Sequence, residues 1–237
     1  MMEFKKGEMS TQQIVMMIVL ITSFLVLLFF LLRLNLQEET QKEICYNSVV
    51  SKGVEGFSKD LDCKTNYLCI SGGENCKQIV PTQTAEVDNK EETLEVISKE
   101  MSDCWRIFGE GKVDYTGSTD YIGFHCAICS VVEFDEKIQK LEISYRDLFE
   151  FLEKNNQTSS QTYLNYLFAV SKANDFISKS NYLQRNYEAN FDLTEKYSII
   201  TGINSEVVGP DYVIPVYFMR TKALNETNCD FFDITKA

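Results

Sequence analysis

Residues 121–134 read YIGFHCAICSVVEF, and the reading of this stretch decides the architecture of the chain. β-branched and aromatic side chains fill it, which is the composition of a strand. It also contains Cys126-Ala127-Ile128-Cys129, a C-x-x-C pair with His125 beside it. On a strand, positions 126 and 129 point to opposite faces, so the two cysteines neither pair with each other nor chelate one ion. Zinc sites often use such pairs, but no second C-x-x-C stands at a matching distance. A redox C-x-x-C normally opens a helix whose N-terminus lowers the thiol pKa, and a strand offers no such end. Structural disulfides are the preferred reading, with a metal centre and a redox pair as alternatives. His125 reads as a strand residue beside a cysteine, and no metal ligand, cofactor or catalytic residue is assigned.

The other six cysteines are Cys45, Cys63, Cys69, Cys76, Cys104 and Cys229. An even total of eight fits a disulfide framework, although spacing alone leaves its connectivity open. Cys63, Cys69 and Cys76 lie in DCKTNYLCISGGENC, which reads as an irregular loop needing a covalent staple, with Cys45 as a fourth member. Cys104 belongs to a predicted helix over residues 88–108. There Leu94, Ile97, Met101, Cys104, Trp105 and Phe108 recur at spacings of three and four and form one apolar stripe. Glu91, Glu92 and Glu95 load its first turns with the charge that the helix dipole favours. Facing a sheet, Cys104 has Cys126 or Cys129 as candidate partner. Gly109-Glu110-Gly111-Lys112-Val113 stops this helix and lacks the glycine spacing and hydroxyl residue of a phosphate loop.

Further along, residues 140–144 predict a short strand, and Ser144 caps a helix to about residue 154. NNQTSSQT reads as a polar loop, and residues 160–177 as a third helix. Residues 197–203 and 212–220 switch to the period of strands and are separated by Gly209-Pro210. Acidic pairs such as Asp135-Glu136 read as solvated surface. The pattern is α+β: a disulfide-stapled domain with helices packed on a mainly antiparallel sheet, preceded by a long N-terminal transmembrane and stalk helix.

That N-terminal helix is the strongest single signal. Ile14 opens and Leu32 closes a stretch of nineteen residues, IVMMIVLITSFLVLLFFLL, without a charge. As a helix it measures about 28 Å, close to the roughly 30 Å hydrocarbon core of a bilayer. A cleaved secretory signal has a shorter apolar run and a small-residue cleavage site. Lys5 and Lys6 precede the span, which favours the N-terminus inside and the rest outside. The expected division is a cytoplasmic segment 1–13, a transmembrane helix 14–32, a helical stalk 33–56 and an extracytoplasmic domain 57–237.

Charge follows the same division. The chain carries 23 Lys and Arg against 35 Asp and Glu, a net −12. Residues 1–33 hold three basic and two acidic side chains, so the acidity belongs to the part beyond the span. Such a balance argues against nucleic acid, which needs basic surface. A hydrophobic fraction of 44% and an aromatic fraction of 12% exclude a disordered chain. A single histidine leaves little room for histidine catalysis.

Lys6-Gly7-Glu8-Met9-Ser10-Thr11-Gln12 resembles the signal of archaeal type IV pilin-like proteins, where a basic residue and Gly precede the cleaved bond. Ser10 matches that pattern, while Glu8 and Gln12 stand where the family commonly has Gln and Glu. The resemblance implies processing between Gly7 and Glu8 and assembly through the N-terminal helix. Cys104-Trp105, Phe108-Gly109-Glu110-Gly111-Lys112 and the later C-x-x-C are similar to uncharacterised membrane-anchored archaeal proteins, which implies an archaeal origin and no activity.

Three classes of function follow. The preferred one is a single-pass surface protein whose outer domain binds a protein partner or is structural. The alternatives are a pilin-like subunit that self-assembles and an extracytoplasmic enzyme, for which no nucleophile elbow, metal triad or nucleotide loop is visible. Asn156-Gln157-Thr158 and Asn225-Glu226-Thr227 are glycosylation sequons on the expected outer side.

Overall fold

The computed structural model describes residues 11–33, 36–53, 61–115, 124–178, 181–204, 213–227 and 229–231. The chain divides into two compact units, Met1–Thr40 and Gln41–Ala237. Gly7, Glu8, Gly209, Pro210 and the first residues of two of the predicted strands, 121–123 and 212, lie outside the described residues.

The first unit holds α1 (Thr11–Arg33), whose only charged residue is Arg33 at its end. Helix α2 (Leu36–Lys52) follows, and its residues from Gln41 onward belong to the second unit. There Cys45, Ser48 and Val49 are buried, packed with Leu61, Cys63, Ile107, Phe108 and Tyr115. The end of the expected stalk is therefore part of the domain.

The domain is built on a mixed sheet with β3 (Phe124–Phe134) at its centre. Strands β1 (Asn66–Ser71), β2 (Gln83–Glu86), β6 (Tyr197–Asn204) and β7 (Val213–Arg220) give the order β2-β1-β3-β6-β7. The expected antiparallel pairing holds for β3–β6 and β6–β7, whereas β1 runs parallel to both β2 and β3. The last strand, β8 (Cys229–Phe231), pairs parallel with the first three residues of β3. On this edge β8 takes residues 124–126 and β1 takes residues 130–134, while β6 lies along the other edge. Strand β1 also corrects the sequence reading, since it occupies part of a segment read as a stapled loop.

Helix α3 (Lys90–Ile107) and α4 (Tyr145–Lys154) cover one face, burying Leu94, Ile97, Met101, Leu148 and Leu152 against Leu68, Ile70, Val132 and Phe134. Since Leu68 and Ile70 face the helices, alternation turns Cys69 to the other face, and Glu133 likewise. The parallel pairs need crossovers on both faces. Travel from β1 to β2 goes one way along the sheet through residues 72–82, and travel from β2 to β3 goes the other way through α3. Opposite directions on opposite faces are what a single crossover handedness requires.

Between β3 and β6 the chain differs from expectation. In place of a strand at 140–144, a 3₁₀ turn (Ile138–Lys140) forms and Ser144 makes one isolated bridge to Asn190. The cause is Asp135, whose Oδ1 accepts from Lys137 N–H at 3.1 Å and Ile138 N–H at 2.9 Å and turns the backbone. The segment expected as a polar loop is a hairpin, β4 (Asn156–Thr158) with β5 (Gln161–Thr162). The single helix expected over 160–177 is two, α5 (Tyr163–Phe168) and α6 (Ala173–Ile177). Ala169 breaks it by adopting φ 53°, and the Glu153 carboxylate accepts Ala173 N–H at 3.0 Å to start α6. A short α7 (Asn181–Asn186) precedes β6.

Candidate functional site: an apolar helix and a crosslinked domain

Helix α1 has 23 residues, so it is about 35 Å long at about 1.5 Å per residue. Every described side chain from residue 12 to residue 29 is exposed, and the large apolar ones are between 38% and 69% accessible. It is long and apolar enough to cross a membrane. Its two internal polar side chains are satisfied within the helix. Thr22 Oγ1 donates to the Ile18 and Val19 carbonyls at 2.9 and 3.0 Å, and Ser23 Oγ to the Leu20 carbonyl at 2.9 Å. No hydroxyl between Ile14 and Phe29 therefore needs water, which is the condition for a helix in hydrocarbon.

In the domain the eight cysteines form four disulfides: Cys45–Cys63, Cys69–Cys76, Cys104–Cys129 and Cys126–Cys229. The C-x-x-C cysteines thus serve two separate bridges. Cys126 ties β3 to β8, and Cys129 ties β3 to α3. A β-bulge between Ile128 and Ser130 leaves Cys129 as an extra residue, so that it and Ser130 both reach α3. Cys129 bonds Cys104, and Ser130 Oγ donates to Glu100 Oε1 at 2.5 Å, one helical turn away. His125 is buried on β3, in register with Ile203 and Asp230. Among the described residues no group of three or more His, Cys, Asp or Glu could hold a metal ion.

The buried carboxylates are committed to architecture. Glu133, 3% exposed, accepts the N–H groups of Lys77, Gln78 and Ile79 at 2.7–3.0 Å. Asp135, 1% exposed, accepts through Oδ2 from Ser71 Oγ, Gly72 N–H and Glu74 N–H at 2.7–3.0 Å. This overturns its reading as solvated surface; its neighbour Glu136 is exposed and pairs with Lys77. Burial pushes the Asp135 carboxyl up, but the bonds from Ile138, Glu74, Ser71 and Gly72 outweigh this and hold it below the usual carboxylate range. With Cys69–Cys76, these two carboxylates pin the 72–82 crossover, a short link for parallel strands. Val80 at its far end is left 90% exposed.

Glu100 makes a second internal clamp. It accepts from Asn66 Nδ2 at 2.8 Å and Lys42 Nζ at 3.2 Å, and Lys42 also reaches Asp103 at 2.8 Å. Helices α2 and α3 and strands β1 and β3 meet on this one carboxylate. At the end of α3 the predicted stop is a left-handed turn, with φ 76°, 55° and 70° at Gly109, Glu110 and Gly111. Glu110 bears the strain of that turn and is held on both oxygens, by Lys112 Nζ at 2.5 Å and Tyr166 OH at 2.9 Å. The Lys112 contact is foremost in lowering its carboxyl pKa.

Asn156 and Asn225 are both exposed, on β4 and on a 3₁₀ turn (Thr221–Glu226) respectively. Glu100, Glu133 and Asp135 escape the sequence because a buried carboxylate looks like any other acid in so acidic a chain. The one available signal is their setting, since Glu133 and Asp135 flank Phe134 in an apolar strand. Comparison with protein-family models, curated proteins and solved structures finds no match.

Proposed function

We propose that the protein is anchored in a membrane by α1, crosses it once with its N-terminus in the cytoplasm, and displays the crosslinked domain outside as a binding or structural module. The observation that carries this reading is the wholly exposed, charge-free apolar surface of α1 from Ile14 to Phe29. In water such a helix is costly, because each buried side chain of its kind is worth about 1.5–3 kcal/mol. Hydrocarbon removes that cost, and the self-bonded Thr22 and Ser23 fit it.

The four disulfides support the outer placement of the domain, because such bonds persist in oxidising compartments. The buried carboxylates support a scaffold role, each being consumed by backbone N–H groups or internal partners. The domain acidity favours soluble or cationic partners over anionic lipid or nucleic acid.

The test is expression of the full chain in a membrane-bearing host, followed by alkaline carbonate extraction and protease protection. The expected result is a protein retained in the membrane, with its domain protected only when it faces the lumen of the vesicle. A chain released by carbonate overturns anchoring, and a domain on the cytoplasmic side overturns the topology. An N-terminus beginning at Glu8 replaces the plain anchor with the pilin-like reading.

A further inference from the structure

We infer that Asn156 is a site of N-linked glycosylation and that Asn225, which carries the same motif, is not. The inference rests on the extracytoplasmic placement proposed above. The two sequons are equal as sequences but differ in the structure. Asn156-Gln157-Thr158 form β4, and a register shift between Asn156 and Thr158 in its pairing with β5 interrupts strict alternation there. Asn156 and Thr158 are both exposed, while Gln157 between them is half-buried. The residue whose amide receives the sugar and the one whose hydroxyl an acceptor motif requires are thus both open to solvent. The hairpin that carries them is two short strands whose register is irregular between Asn156 and Thr158, so few ladder bonds restrain it.

Asn225-Glu226-Thr227 fails on the second member. Asn225 is exposed, but the Thr227 hydroxyl is half-buried and donates to the Leu224 carbonyl at 2.6 Å. The Thr227 N–H donates to the same carbonyl at 3.1 Å, closing the 3₁₀ turn. Two residues on, Cys229 is bonded to Cys126 on the central strand. Both bonds and the disulfide hold this sequon in a closed turn that a transferase cannot straighten. An acidic Glu226 lies between its two members.

The co-reactant is an oligosaccharide carried on a membrane lipid phosphate, delivered by a membrane oligosaccharyltransferase. Asn156 Nδ2 attacks the anomeric carbon; the N–C bond forms as the bond from that carbon to the phosphate oxygen breaks. The lipid phosphate leaves with the bonding pair, and the amide nitrogen gives one proton to the transferase. Nothing is oxidised or reduced.

The experiment is translation of the full chain with microsomal membranes, read by gel mobility before and after enzymatic deglycosylation, with protease protection on the same sample. One glycan is expected on the wild type. It is lost in Asn156→Gln and Thr158→Ala, kept in Thr158→Ser, and unchanged in Asn225→Gln. Reduction during translation is expected to open the second sequon and add a second glycan, which Asn225→Gln removes. A protected domain without a glycan, or with one at Asn225 in the absence of reductant, overturns the inference and leaves the topology standing. A domain accessible to protease overturns the topology and the inference with it.

Discussion

Helices α1 and α3 are both rich in large apolar side chains, yet they solve opposite problems. In α3 those side chains lie on one stripe, with Leu94, Ile97, Met101 and Cys104 buried and Glu91, Glu92, Glu95 and Lys99 away from the core. In α1 they go all the way round, and none is buried among the described residues. An apolar stripe calls for cover on one side, and an apolar cylinder calls for cover all round, by protein or by a bilayer. The polar groups differ in the same sense. α3 uses Glu100 to bind three other elements, whereas α1 turns Thr22 and Ser23 back on their own backbone. Glu100 ties its helix to its neighbours, and the Thr22 and Ser23 hydroxyls serve their own helix.

The largest effect that can break this contrast is on the crosslinks. Cys126 and Cys229 are 103 residues apart, and Cys69 and Cys76 are seven apart. In the chain-entropy account, removing the long bridge by Cys126→Ala with Cys229→Ala costs about 4–5 kcal/mol, and removing the short one about 2–3 kcal/mol. Guanidinium unfolding of the full chain in detergent, without reductant, reads both. Equal costs would show that strain or local packing, and not loop closure, sets their worth. The next test makes one substitution in both helices. Ile97→Ala empties a fully buried site and lowers domain stability by about 2–5 kcal/mol. Ile21→Ala leaves domain unfolding unchanged, and Ile21→Arg opposes insertion by about 2.5–3.5 kcal/mol, read as release by carbonate. A domain destabilised by Ile21→Ala would make α1 a packed helix and end the comparison.

Asp135→Asn comes next. It weakens the acceptor of five donors and is expected to cost about 2 kcal/mol at neutral pH. The sign with pH follows from the depressed native carboxyl. The unfolded group titrates near 3.8, so its contribution is complete above that value and is lost as pH falls through the lower native pKa. Acid unfolding of the wild type should therefore be steeper below about pH 4 than that of Asp135→Asn. Parallel acid limbs would remove Asp135 from the crossover clamp.

Much of this contrast was legible in the sequence, because it depends on period and composition. The apolar run of α1, the stripe of α3 and the strand character of residues 124–134 are repeated signals over many residues. The separation of Cys126 and Cys129 follows from strand alternation alone. What escaped depends on single side-chain contacts, near and far in the chain. The 3₁₀ turn at Ile138 is set by a carboxylate three residues earlier, and the start of α6 by Glu153 from another helix. The direction of β1 is fixed by a crossover that Glu133 and Asp135 hold down, and no local pattern in residues 66–86 distinguishes parallel from antiparallel pairing. The candidate site divides likewise: α1 and the cysteines were visible, and the buried acids were not.

The smallest effect sharpens the comparison at a single hydroxyl. Ser144 sits at the start of α4 with its Oγ accepting the Asp147 N–H at 3.2 Å, while the Asp147 carboxylate accepts the Ser144 N–H at 2.8 Å. This reciprocal box supplies partners to donors that the helix itself leaves open. Ser144→Ala removes an acceptor at a buried position, so about 1 kcal/mol of domain stability is expected to go. Thr22 in α1 also bonds its own helix, but in the opposite sense. Its hydroxyl donates to carbonyls that the helix ladder already serves, so Thr22→Val orphans no backbone group. Its effect on membrane retention and on domain unfolding should stay within about 0.5 kcal/mol. A Thr22→Val loss as large as that of Ser144→Ala would mean that the hydroxyl has a partner beyond its own helix, and α1 would then be an assembling helix and not a plain anchor.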